Sequence, residues 1–294
     1  MSTARPGAAP GGAAGGIALV LTAAVLWSSS GLFIKLLTLD GFALTGLRSG
    51  IAVLVLLPFV RLRALRVDGI ALLLMVAFAA TQLCFVFSTR WTTAANAIAL
   101  QSTAPAWVYL LGCLTTRRVD VPLLGPLVLI GAGIAAMLAE PAQGTSQQGN
   151  LLALGGGFAF AVSLICLRRV NQPAVGAVMV AHVGSLLTAL VLAPGAFHPG
   201  AVPGWEWAVL VYLGAIQIGL SMILFTAGAR RITVHQASVL TLLEPLLNPV
   251  WVYLVLGEAP SGYGFVGYGL ILAGIVADFW VRLGRPVVSA GGTG

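Results

Sequence analysis

The chain has 294 residues, of which 59% are apolar and only 8% charged, with a mean hydropathy of +1.01; soluble domains carry about a quarter charged residues. No soluble fold of this size covers its surface with so little charge. A net charge of +7 would ordinarily raise nucleic acid as a partner, but all of the fifteen basic residues except Arg48 sit in or at the edges of the breaks between apolar runs, so the bilayer is the expected solvent and no nucleic-acid partner is expected.

Residues 1–16, mostly Gly, Ala and Pro with a single Arg5, read as a disordered tail. No small-residue cleavage site ends the apolar run that follows, so a removed signal peptide is not expected. Apolar runs of about eighteen residues or more reach across the hydrocarbon layer as helices. Such runs predict five spans at 17–37, 42–60, 70–89, 94–114 and 122–139, then five more at 150–167, 175–193, 207–229, 235–256 and 263–283. Residues 286–294 read as a second tail. Cys84, Cys113 and Cys166 all fall inside spans without metal or redox spacing and read as small core residues.

Loop charge tests the count of ten. With a cytoplasmic N-terminus, the inside set holds Arg5, Arg61, Arg63, Arg66, Arg117, Arg118, Arg168, Arg169, Arg230, Arg231, Arg282 and Arg285, and only Lys35 and Arg90 fall outside. Cytoplasmic loops are the ones enriched in Lys and Arg. One span more or fewer would scramble this pattern, so both termini are expected in the cytoplasm. One lysine against fourteen arginines, with heavy Ala and Gly use, suits a GC-rich bacterial genome and hence a bacterial inner (plasma) membrane.

The two halves resemble each other. At an offset of 140, Phe85, Arg90, Thr93, Ala97, Leu100 and Pro105 pair with Phe225, Arg230, Thr233, Ala237, Leu240 and Pro245. At an offset of 133, Ser30 pairs with Ser163 and Lys35 with Arg168. Gly131, Ala135 and Ala139 pair with Gly269, Ala273 and Ala277, a stripe that reads as close helix packing. The expected architecture is therefore all-α, an integral membrane protein of ten transmembrane helices arranged as two inverted five-helix repeats, 17–140 and 150–283. Each repeat has an odd number of spans, so the second must sit upside down, as in many secondary transporters.

These residues also resemble a known family. The stretch LLEPLLNPVWVYLVLGE, from Leu242 to Glu258, is similar to the ninth-helix motif of the ten-helix drug/metabolite transporters built from two EamA-type repeats, where Leu-Glu-Pro opens the helix and Gly-Glu closes it. The first half shows STAPAWVYLLGCL, from Ser102 to Leu114, with Arg118 where the family often has the closing Glu. Trp27, Ser28 and Lys35 resemble the opening Trp-Gly and Lys pattern, with Ser in place of Gly, and Arg48 matches an Arg of the second helix. The resemblance covers residues 17–283 and implies export of a small metabolite. Within the family it implies a YddG-like amino-acid exporter, an expectation that no motif of this chain carries by itself.

An ionised side chain at the helix centre costs roughly 3 kcal/mol on insertion scales, so each polar group inside a span is a candidate site. Glu244 leads, beside Pro245 in the ninth span, as a partner for an amine, a cation or a proton; its other reading is a buried carboxylate that only fixes packing. Pro105 and Pro245 are the candidate hinges. Gln82, Gln101, Ser30, Ser163, Gln217, Ser221 and Thr241 are candidate hydrogen-bonding groups for a substrate, with interhelical bonding as the alternative. Trp27, Phe78, Phe85, Trp107 and Phe158 offer flat apolar surface for a hydrophobic or aromatic solute, with plain packing as the alternative. Arg48 and Asp278 are expected to snorkel toward the two faces.

The rival classes are weaker. An intramembrane enzyme, for instance of lipid metabolism, would need paired catalytic groups, and none is present. An ATP-driven subunit would show GxxxxGK[ST], and the only lysine is Lys35. A channel would tend to show a charged ring or filter; a pore lined by uncharged groups stays open as an alternative. No metal site and no cofactor are expected. The reading is a secondary carrier, monomeric or homodimeric, working by alternating access through a central cavity.

Overall fold

A computed structural model gives the fold and describes residues 10–139, 147–198 and 202–283. Arg5, Glu140, Arg285 and the C-terminal tail lie outside the described residues. Those described form helices and loops without a strand, and ten helical segments are long and apolar enough to cross a membrane. They are Gly12–Leu36, Gly41–Phe59, Gly69–Trp91, Ala94–Thr116, Val121–Leu138, Gln147–Arg169, Ala174–Leu192, Gly204–Ala229, His235–Leu256 and Gly262–Leu283.

The first helix begins at Pro10, inside the stretch read from the sequence as a tail. Proline suits a first helical position, where its missing N–H has no acceptor to lose. Tertiary contact holds this segment as well: a Cβ on Gly16 would lie 2.8 Å from Arg231 Cβ and 3.1 Å from the Gly228 carbonyl, at the end of the eighth span.

Three spans are broken. The first is interrupted at Ser29, between Pro10–Ser28 and Ser30–Leu36. The fourth is split into Ala94–Gln101 and Ala104–Thr116, and the ninth into Val234–Thr241 and Leu243–Leu256. Pro105 and Pro245 thus do not kink continuous helices. Each sits in the first turn of a new one, where an N–H would go unused anyway. Pro249, which lies inside Leu243–Leu256, is the residue that interrupts a ladder. It lacks the N–H that would reach the Pro245 carbonyl, and the Tyr268 hydroxyl of the tenth span donates to that carbonyl instead. The eighth span widens into a π-helix over Tyr212–Leu220.

The two halves share one core. The third span packs on the sixth, the first on the eighth, the second on the seventh and the fifth on the tenth. One buried cluster joins Ile34, Leu44 and Phe85 to Leu210 and Leu213, and another joins Leu100 and Met137 to Ala153 and Ile271. Glycine permits the closest approach between the fifth and tenth spans, where a Cβ on Gly133 would lie 2.7 Å from the Gly267 carbonyl. This corrects the expected stripe. Gly131 and Gly269 have nothing within 4 Å of such a Cβ, and both are exposed. Two residues turn a helix by about 200°, so the packing face lies opposite the one expected.

Candidate functional site

Polar groups gather at two levels. At the arginine-poor end, Lys35 Nζ lies 2.5 Å from Glu258 Oε2 and donates to the Thr92 carbonyl at 3.0 Å. Glu258 Oε1 accepts from the Ala94 N–H at 2.7 Å. One carboxylate thus binds the ends of the first and ninth spans to the start of the fourth and satisfies an orphan donor of that helix. Arg90 closes the loop beside it, donating to the Leu39 and Leu37 carbonyls at 2.5 and 3.0 Å. Glu206 is fully buried and accepts from the Thr38 hydroxyl at 2.5 Å. Asn150, also buried, accepts from Thr92 Oγ1 at 2.7 Å and from Asn96 Nδ2 at 3.3 Å.

Deeper in the bundle, the polar residues fall into two groups flanking the helix breaks. One lies among the first, eighth and ninth spans. Asn248 Nδ2 donates to Ser30 Oγ at 3.3 Å, Trp251 Nε1 to Ser28 Oγ at 2.9 Å, and Gln217 Nε2 to the Trp27 carbonyl at 3.3 Å. Ser29 Oγ and the Tyr212 hydroxyl share a hydrogen bond of 2.8 Å, and the rings of Trp27 and Phe225 stand 5.3 Å apart. Gly31 matters here because a Cβ would collide with the Asn248 amide. The other group lies between the fourth and sixth spans. Trp107 meets Phe158 edge-on at 5.5 Å, and a Cβ on Gly157 would lie 3.1 Å from the Gln101 carbonyl. Gln101 Oε1 and Trp107 Nε1 are buried without a partner, an arrangement that costs about 1–3 kcal/mol per group unless something else binds there.

Glu244 is half-buried in the first turn after the ninth-span break, and among the described residues nothing hydrogen-bonds to it or pairs with it. The remaining candidates separate. Phe85 belongs to the shared core, and Phe78 packs edge-on against buried His182 at 4.9 Å. Ser163 Oγ and Ser221 Oγ are fully buried and turned back onto their own helices, at Ala159 and Ile216. Thr241 does the same to Ser238 at 2.9 Å, and Gln82 is half-buried.

Arg48 does not snorkel. It is 2% exposed, its Nε has no partner, and it has no ion pair among the described residues. The second span, which carries it, packs against the seventh and eighth spans, and the side chain is buried there before it can reach a surface. Asp278 instead takes both bonds of an Arg282 fork, at 2.7 and 2.9 Å.

Residue typing by span missed Asn150, Asn248 and the Lys35–Glu258 pair. Asn248 lies inside the motif at Leu242 to Glu258, and its amide two turns from the helix end was the available signal.

Ten apolar crossings, three broken helices and polar groups clustered at the breaks define a membrane transport protein. The chain belongs to the EamA-like transporter family, whose model matches it twice, at residues 14–139 and 147–277. It is 28% identical over 264 residues to a protein of Archaeoglobus fulgidus described as an uncharacterized transporter, covering 89% of this chain and 95% of that one. It is 28% identical over 252 residues to a protein of Pseudomonas aeruginosa described as a probable biotin transporter, covering 82% and 87%. One crystal structure superposes with a TM-score of 0.62 at 21% identity, over 94% of this chain and 99% of that one, and so shares the fold.

Proposed function

We propose that this protein is a secondary carrier that moves small metabolites, amino acids first among them, by alternating access between two inverted repeats. The conformation described here is closed outward and loosened inward. One observation carries this reading. In the fourth span, every residue of Ala94–Gln101 except Gln101 is buried, whereas in the equivalent Val234–Thr241 of the ninth, Ala237 alone is buried among the described side chains. Two matched repeats of five spans each lie in opposite orientations, so equivalent half-helices report on opposite faces. Exchanging their packing opens the outside and seals the inside.

Within this scheme Pro105 and Pro245 mark the points about which the half-helices rock. Glu244 is the residue left free to take an ammonium group or a proton, with Gln101, Trp107 and Phe158 on the opposite side of the path. A second reading follows from the Pseudomonas aeruginosa relative: a biotin-like carboxylate, for which a carrier of this plan would need no amine site.

The test is flux of radiolabelled amino acids and of biotin in proteoliposomes, wild type beside Glu244→Gln, with and without a pH gradient. Saturable amino-acid flux whose pH response is lost only in Glu244→Gln supports the first reading and places coupling at that carboxylate. Biotin flux that survives Glu244→Gln supports the second. Flux that never saturates with concentration would make the protein a pore and end the carrier reading.

A further inference from the structure

At the arginine-rich end a cavity of about 380 Å³ opens between the halves. Phe59, Val60, Arg61 and Leu65 line it from the end of the second span and the loop after it, Pro173 and Gly176 from the start of the seventh, and Arg230 from the end of the eighth. No acidic residue lines it, and neither guanidinium forms an ion pair among the described residues. Phe59 is 60% exposed at the foot of its span, where acyl chains meet head groups. At its seventh-span wall Gly176 lets Leu65 and Val60 pack close: a Cβ there would lie 2.9 Å from Leu65 Cδ2 and 3.6 Å from Val60 Cγ1.

We propose that this cavity binds the phosphate of an anionic phospholipid from the adjoining leaflet, with Arg61 and Arg230 on the phosphate and Phe59, Val60 and Leu65 against the glycerol and upper acyl chains. Two guanidinium groups on one cavity with no carboxylate beside them favour an anion between them, and basic pockets between membrane helices bind lipid head groups in this way. The apolar walls separate a lipid from free phosphate, which would leave them unused. Arg61 belongs to the first repeat and Arg230 to the second, so one lipid spans the joint between them. Its retention therefore depends on the relative position of the two repeats. Nothing in this inference depends on which solute is carried.

The test uses the full chain in detergent, with phosphatidylglycerol or phosphatidylcholine added and bound lipid counted by native mass spectrometry. Wild type should retain phosphatidylglycerol over phosphatidylcholine, and R61Q/R230Q should lose that retention by about tenfold. R63Q/R66Q removes two arginines of the same loop that do not line the cavity and should keep it. Equal loss in both double variants would mean diffuse surface charge and would overturn the site. So would equal retention of the two lipids by wild type, a comparison that needs no variant to fold. Inorganic phosphate that displaces phosphatidylglycerol at millimolar concentration would overturn the lipid assignment in favour of the free anion.

Discussion

Glu258→Lys should lower flux in proteoliposomes at least tenfold while leaving the amount of folded protein unchanged. The substitution sets two ammonium groups against each other, leaves Lys35 with the Thr92 carbonyl alone, and strips the Ala94 N–H of its acceptor. Exposed pairs contribute about 0–1 kcal/mol, and breaking a buried one costs about 3–5 kcal/mol. The side chains of this pair are 13% and 26% exposed, so about 2 kcal/mol is the expected loss from the proposed outward-closed form, and each 1.4 kcal/mol is tenfold in a population. Glu258→Gln separates the contributions, because its amide oxygen can still accept from Ala94 but carries no charge. The exchanged pair K35E/E258K should recover flux only in part, since Lys at 258 cannot accept that N–H and Glu at 35 faces a carbonyl. No recovery at all would show that the two residues act independently.

Gly133→Val should destabilise the fold by about 1–3 kcal/mol, the usual cost of forcing extra atoms into a packed core, whereas Gly131→Val should be neutral. At Gly133 the added Cβ would meet the Gly267 carbonyl and Ile271 Cγ1, both at 2.7 Å, and two backbones would have to separate. Helix association in a bilayer relies on such close approach through small residues. At Gly131 a Cβ meets nothing within 4 Å. Thermal unfolding in detergent, followed by loss of the monodisperse peak, measures both variants. A midpoint for Gly133→Val equal to that of Gly131→Val would refute the assigned packing face.

That pair of glycines also shows where sequence reading stops. Nine of the ten spans lie within three residues of their expected bounds, and only the first starts earlier than that, because a bilayer imposes a length and a composition that each run meets on its own. Facing is another matter. In a soluble helix polar residues mark the outer side, but lipid and core are both apolar, so nothing local distinguishes Gly131 from Gly133. The same holds for Arg48, whose depth was legible but whose covering neighbours come from other spans. Lys35 and Glu258 were each visible as motif residues; that they meet depends on chain segments more than two hundred residues apart. The helix breaks were half legible: proline marked the fourth and ninth spans, while Ser29 gave no comparable signal in the first.

The wide winding of the eighth span bears on how that helix meets the first. In an α-helix, residues five apart point about 140° from each other, at about 100° per residue. Tyr212 and Gln217 are five apart, yet both reach the first span, at Ser29 and at the Trp27 carbonyl. Hydrogen bonding from i to i+5 winds the helix wider and brings such residues nearer to one face, so the π segment works as a phase shifter between the two ends of the span. Removing one residue there would do more than shorten the helix: it would swing everything on one side of the cut by about a quarter turn relative to the other.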